Sequence, residues 1–391
     1  MGQTDRQTDR QTDRQTDRQT DRQTDRQTDR QTDRQMVPLL TRLNDYGRSG
    51  TRKGIRGVEI GALLQGYRNL LQLIPDTDTV CLLDPLNLEK TPLTHRRLRK
   101  FIGQEFDLGK FGLSKGSRVA VLLPNGPELA VAMLAVVSQW CAAPINPTNT
   151  WQEIQAELQK TRARAVIILA GASGNEAVLQ ACKDMSIGII VISPTEAITG
   201  LFRLNVLTPV PAPIGASRES WRTTGKGFKA FDHPETVLLL HTSGTSGNKK
   251  LVPYSLDMLV IGVGCIVSAW NLSPSDVCLN MMPLFHIGGI VRNIFSPVLS
   301  GGAVIACSGF DPLLFWDVLS SQTVTWYYAA PTMHHAILME AEQRSKPLPV
   351  APIRFIANAA GGLLPVLAEA LRSCFDAVVL TGYGMTEWYF I

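Results

Sequence analysis

From about Gly61 onward, short apolar runs alternate with longer segments of helical periodicity. Residues 118–123 (RVAVLL) read as a buried strand and residues 128–140 as a helix. Thr150, followed three residues later by Glu153, makes a capping box, in which the two side chains satisfy free backbone donors reciprocally, so a second helix opens there. Residues 165–169 and 187–192 are short β-branched runs, with a helical segment over 176–185 between them. Residues 236–240 read as another strand. Beyond it, Leu256, Leu259, Val260, Val263, Val267 and Trp270 recur at helical spacing and form one apolar face. Strand-like runs return at 277–281, 303–307, 324–328, 353–357 and 377–380. Pro331 suits the first position of a helix, and Gly301-Gly302 and Gly361-Gly362 mark tight turns. Buried strands alternating with helices predict an α/β fold of two stacked βα lobes, with mostly parallel sheets covered on both faces.

Residues 208–232 are rich in Pro, Gly, Ser and Thr, and read as a linker between lobes of about 61–207 and 233–391. Residues 36–60 read as a second linker. Residues 3–34 repeat the tetrapeptide QTDR without error. The repeat holds no apolar residue, so residues 1–35 are expected to be disordered. The codons CAG-ACA-GAC-AGA spell Gln-Thr-Asp-Arg and are a CAGA tetranucleotide read straight through. A translated simple repeat, with Met36 as the start, explains the segment; a flexible spacer is the functional alternative.

With 391 residues, 45% of them hydrophobic, the chain can bury a large core. The net charge of +4 is small for that length, and no basic block interleaved with aromatics appears, which argues against nucleic acid as a partner. No apolar run reaches the ~18 residues of a membrane span. Seven scattered cysteines without a CxxC pair fit reduced thiols in a cytosolic setting, so the expected localisation is cytoplasmic.

The candidate chemistry lies in residues 238–254, LLLHTSGTSGNKKLVPY. An apolar strand runs into small hydroxyl and glycine residues, and two lysines follow. Gly244 and Gly247 permit close backbone approach. Successive N–H groups can then form an anion nest, to which Thr242, Ser243, Thr245 and Ser246 add hydroxyl donors and Lys249 and Lys250 add charge. A polyphosphate suits such a loop. The GxxxxGK[ST] spacing of a Walker A loop is absent. His334 and His335 are adjacent and face different ways on a helix, so they read as one core and one surface histidine. His241 reads as a buried strand residue. GxSxG, HExxH and paired-cysteine metal signatures are all missing.

TSGTSGNKK resembles the phosphate-loop signature of the adenylate-forming superfamily, which includes acyl-CoA synthetases and the adenylation domains of peptide synthetases. It departs at Lys249, where the family usually has Pro, and at Leu251, where it usually has Gly. Three further stretches are similar in order and spacing: MPLFHIGGI (282–290), YYAAPTMHHAIL (327–338), and NAAGGLLPVLAEAL (358–371) with LTGYGMTE (380–387). The resemblance covers roughly residues 60–387 and implies an AMP-binding domain over 61–391. It implies that ATP and a carboxylic acid give an acyl-adenylate, which a thiol then takes up, either coenzyme A or the phosphopantetheine of an acyl or peptidyl carrier domain. By position, Thr242, Ser243, Gly244, Thr245, Ser246, Gly247 and Lys250 would hold the β- and γ-phosphates. Tyr383 would stack on adenine, with Ala360, Gly361 and Gly362 along its edge and Gly384 and Met385 beside it. Thr386 would reach the α-phosphate and Glu387 would hold Mg²⁺. His286 and Gly288 would border the acyl pocket. The family carries on beyond Glu387 into a ribose-binding Asp, a β-barrel subdomain and a C-terminal domain with a catalytic Lys, so a truncated chain is expected. A catalytically inactive fragment that at most binds ATP is the alternative.

Overall fold

The computed structural model describes residues 67–211, 236–242, 249–344 and 348–387. The QTDR repeat, the 36–60 linker, all but the first residues of the 208–232 linker, and Ser243 to Gly247 of the glycine-rich loop lie outside the described residues.

Two seven-stranded sheets form the frame. The first is built on β3 (Arg118–Leu122), β4 (Cys141–Pro144), β5 (Ala165–Leu169), β6 (Gly188–Pro194) and β7 (Phe202–Thr208), and is completed by β8 (Thr236–His241) and β9 (Leu251–Ser255), in the order β7-β6-β5-β3-β4-β8-β9. The second combines β1 (Val80–Leu83) and β2 (Leu93–Thr94) with β10 (Val277–Asn280), β11 (Ala303–Ala306), β12 (Trp326–Ala329), β13 (Phe355–Asn358) and β14 (Val378–Thr381), in the order β14-β13-β12-β10-β11-β1-β2. The pairs β1/β2, β6/β7 and β8/β9 are antiparallel and the remaining pairs are parallel.

The helices are α1 (His95–Lys100), α2 (Pro127–Gln139), α3 (Trp151–Thr161), α4 (Asn175–Cys182), α5 (Leu256–Trp270), α6 (Ser296–Leu299), α7 (Pro312–Ser321), α8 (Pro331–Gln343) and α9 (Pro365–Phe375). The predicted capping box opens α3, with both halves of the Thr150–Glu153 exchange formed. Pro331 stands at the start of α8 as expected.

Period-two alternation in the strands sorts the core into layers. Val119 and Val121 of β3 belong to the large central cluster, while Ala120 and Leu122 face α3 and α4. Likewise Trp326 and Tyr328 point into the central cluster, and Tyr327 packs outward with Trp316, Ile337 and Leu371 of α7, α8 and α9. Helix α2 is buried from Leu129 through Ser138 because it has no solvent face. It packs against β3, β4 and β8 and also against a π-helical segment, Gly288–Phe295, from the other half of the chain. That explains its near-continuous apolar sequence, which lacks the polar stripe of a surface helix.

The sheets differ from the lobes expected at 61–207 and 233–391. Strands β8 and β9 complete the first sheet, and β1 and β2 complete the second. The central strand β4 is buried at every residue and needs a neighbour on its open side, and Leu238 of β8 pairs beside Ala142 there. Several elements were not expected from sequence: β1, β2, β4, β7 and β9, helices α1, α6, α7 and α9, and the π-helical segment Gly288–Phe295. Strand β9 carries Pro253, which a sheet tolerates at an edge. The π-helical segment begins at Gly288-Gly289. His334 is fully buried and His335 is exposed, as the adjacent pair predicted.

Candidate nucleotide and acid site

Strands β8 and β9 pair antiparallel, and in sequence the glycine-rich stretch follows β8 and precedes β9. The hairpin ends are tied by two bonds. The Thr242 amide donates to the Lys250 carbonyl (2.9 Å), and the Lys250 amide donates to Thr242 Oγ1 (3.0 Å). The two lysines then diverge. Lys249 Nζ lies 2.6 Å from Glu157 Oε1 on α3. Lys250 extends the other way, with its ammonium 3.8 Å from Glu387 Oε1.

Glu387 follows β14, and its segment is fixed from below. Tyr254 of β9, fully buried, donates its hydroxyl hydrogen to the Thr386 carbonyl. Burial raises the Tyr254 phenol above its ordinary range, and the Glu387 carboxylate raises it further, so Tyr254 remains a donor. Upstream, Tyr383 is exposed. The β13–α9 loop turns at Ala360, whose φ of 62° lies in the left-handed region, so the strained residue is the alanine before the glycine pair. Asn358 Nδ2 donates to the Gly361 carbonyl (3.1 Å), and its Oδ1 is buried without a hydrogen-bond partner among the described residues. Every one of these segments follows the carboxyl end of a strand, the edge where open α/β sheets bind ligands.

His286 and Gly288 lie after β10. The surrounding protein lowers the His286 pKa and the Lys249 ammonium lowers it further, so the ring is neutral near pH 7. A Cβ on Gly288 would stand 2.9 Å from Tyr328 Oη, so glycine is what lets that hydroxyl approach. Tyr328 Oη accepts from Arg292 Nη1 (3.0 Å), and the buried guanidinium also lies over the Tyr328 ring, 5.3 Å from its centroid. Thus the structure brings Thr242, Lys250, Thr386 and Glu387 together. It places Tyr383 and Ala360–Gly362 on the adjacent loops and His286 on a third. Tyr254, Glu157 and Arg292 escaped the sequence reading, because nothing local marks a buried tyrosine, a helical glutamate or a lone arginine as a partner of a distant loop. Among the described residues no group of three His, Cys, Asp or Glu could hold a metal by itself.

A family model described as AMP-binding enzyme matches residues 108–391. The chain belongs to that family. It is 32% identical over 300 residues to a probable CoA ligase, CCL9, of Humulus lupulus, an alignment spanning 75% of this chain and 54% of that protein. It is 30% identical over 305 residues to an oxalate–CoA ligase of Arabidopsis thaliana, covering 76% of this chain and 56% of that protein. The chain thus spans about half the length of the curated relatives it matches. ATP-bound MatB from Rhodopseudomonas palustris superposes with a TM-score of 0.62 at 19% identity, over 82% of this chain and 60% of that one. The N-terminal domain of FACL13 from Mycobacterium tuberculosis superposes at 0.63 and 18% identity, over 82% and 77%. At these identities the two structures establish the fold. The mixed α/β frame of mostly parallel sheets is that of the AMP-binding family. Among the described residues no helix is long and apolar enough to cross a membrane.

Proposed function

We propose that the protein activates a carboxylic acid with ATP, forming an acyl-adenylate and pyrophosphate, and delivers the acyl group to the thiol of coenzyme A. The observation that carries this reading is the meeting of Lys250, from the hairpin of the first sheet, with Glu387, from the last described loop of the second, at the strands' carboxyl edges. One cation and one carboxylate, both reachable from solvent, suit a magnesium–triphosphate. The ammonium would face phosphate oxygens. The Glu387 carboxylate would help hold Mg²⁺, which is commonly bound through one or two carboxylates together with substrate phosphates and water. Thr242 to Gly247 would cradle the β- and γ-phosphates, and Thr386 would reach the α-phosphate. Tyr383 would stack on the adenine, with Ala360, Gly361, Gly362, Gly384 and Met385 around it. His286 and Gly288 would border the acid.

ATP supplies the electrophilic α-phosphorus and the leaving pyrophosphate. The chain's own residues need only hold the reactants in line and neutralise charge as the P–O bond breaks. Coenzyme A is favoured over a carrier-bound phosphopantetheine because the relatives are named CoA ligases. ATP–pyrophosphate exchange over a panel of carboxylic acids that includes oxalate tests the reading. Acid-dependent exchange, lost in Lys250→Ala, is expected. Phosphate release that needs no acid would refute it.

A further inference from the structure

The hairpin that carries Thr242 and Lys250 is fastened to α3, chiefly through the carboxylate of Glu157. Glu157 is buried, at 7% exposure, and a carboxylate there requires partners. Its Oε1 accepts from Lys249 Nζ (2.6 Å) and from Asn149 Nδ2 (3.3 Å). Its Oε2 faces His241 Nδ1 at 3.5 Å. His241 closes β8 and Lys249 leads into β9, so one carboxylate touches both stems of the hairpin. One helical turn beyond Glu157, Lys160 donates its ammonium to the Lys249 carbonyl and holds the backbone of the second stem as well. Because Lys249 is drawn to α3, the next side chain is turned the opposite way, toward Glu387.

We propose that Glu157 is a positioning residue for the nucleotide site: it clamps both stems of the β8–β9 hairpin to α3, presetting Thr242 and Lys250 and withholding Lys249 from the ligand. The inference rests on the reading of this hairpin as the ATP-phosphate cradle. Its chemical basis is that a charge-assisted bond to a buried carboxylate is roughly twice as strong as a neutral one. Ordering done before binding is not charged against affinity.

Two measurements on the full chain test it. The first needs no ligand: hydrogen exchange of the Thr242 and Lys250 amides in wild type, Glu157→Gln, Lys249→Met and the double variant. Exchange at these two amides is expected to quicken by about tenfold or more in each single variant, with no further gain in the double. Amides of α3 and β3 should keep their protection. Unchanged exchange at Thr242 and Lys250, or a rise matched throughout α3 and β3, overturns the clamp. The second is calorimetric titration with ATP and Mg²⁺. Glu157→Gln should weaken binding about tenfold and Lys249→Met by a similar factor. Wild-type affinity in Glu157→Gln overturns the proposal, as does a loss confined to Lys249→Met, which would make Lys249 a direct phosphate ligand. If wild type binds no ATP, the proposed function fails, while the exchange experiment still decides the clamp.

Discussion

Lys250 Nζ stands 3.8 Å from Glu387 Oε1, a contact that joins the hairpin of one sheet to the last described loop of the other. The Lys250 side chain is 79% exposed and that of Glu387 41%, so the pair itself adds little stability. Under the proposed function, its value lies in the ligand it would receive. Lys250→Ala and Glu387→Gln should leave the melting temperature nearly unchanged. Each should lower ATP–pyrophosphate exchange by about 100-fold, the usual loss for a group that stabilises developing charge. Exchange at the wild-type rate in either variant would remove that residue from the site.

Tyr254 couples the two halves from beneath. Tyr254→Phe keeps the buried ring and deletes the hydroxyl that donates to the Thr386 carbonyl. Urea unfolding should show a loss of about 1 kcal/mol, the net worth of one such bond. ATP binding should weaken too, since Thr386 and Glu387 lose their support. A variant with full stability and full affinity would show that the bond does not hold the segment.

The adjacent glycines 288 and 289 should respond differently to the same change. A Cβ at Gly288 meets the end of a tyrosine side chain, at 2.9 Å from Tyr328 Oη, which yields more readily than backbone does. A Cβ at Gly289 would clash with the Pro283 carbonyl, and backbone cannot yield cheaply. Gly289→Ala should therefore cost about 1–3 kcal/mol of stability. Gly288→Ala should cost less and alter the profile of acids accepted in the exchange assay. Equal melting temperatures for the two variants would contradict this geometry.

Stability should fall on mild acidification, and His334 should account for a definable part of the fall. Burial lowers its pKa from 6.5 to about 4. The folded state therefore stays neutral at His334 over a range in which the unfolded chain takes up a proton. Its contribution is complete above pH 6.5 and declines as pH drops from 6.5 toward 4. The full shift corresponds to about 3 kcal/mol. His95, His241 and His286 are shifted the same way, by burial first, so the comparison must be with His334→Phe. Denaturant midpoints measured between pH 7 and 4 should fall less steeply in that variant, and parallel curves would rule out a role for His334.

Much of the frame was legible along the chain. The apolar run at 165–169 is β5 residue for residue, and the 256–270 stripe is α5, because period two and period 3.6 are local properties of a chain that must bury one face. The capping box at Thr150 was equally legible, since both partners lie within one turn. The order TSGTSGNKK, MPLFHIGGI and YGMTE sufficed to identify the family and the candidate residues. Periodicity tells which face is buried but not what buries it. Only the tertiary structure decided that β8 crosses to lie beside β4, that β1 lies beside β11, and that α2 lies between the sheet built on β3 and the segment beginning at Gly288. The same holds for Glu157 with Lys249, Tyr254 with Thr386, and Lys250 with Glu387. Each pair is distant in sequence, and its members meet because closing a shared core fixes the strands, loops and helix on which they stand.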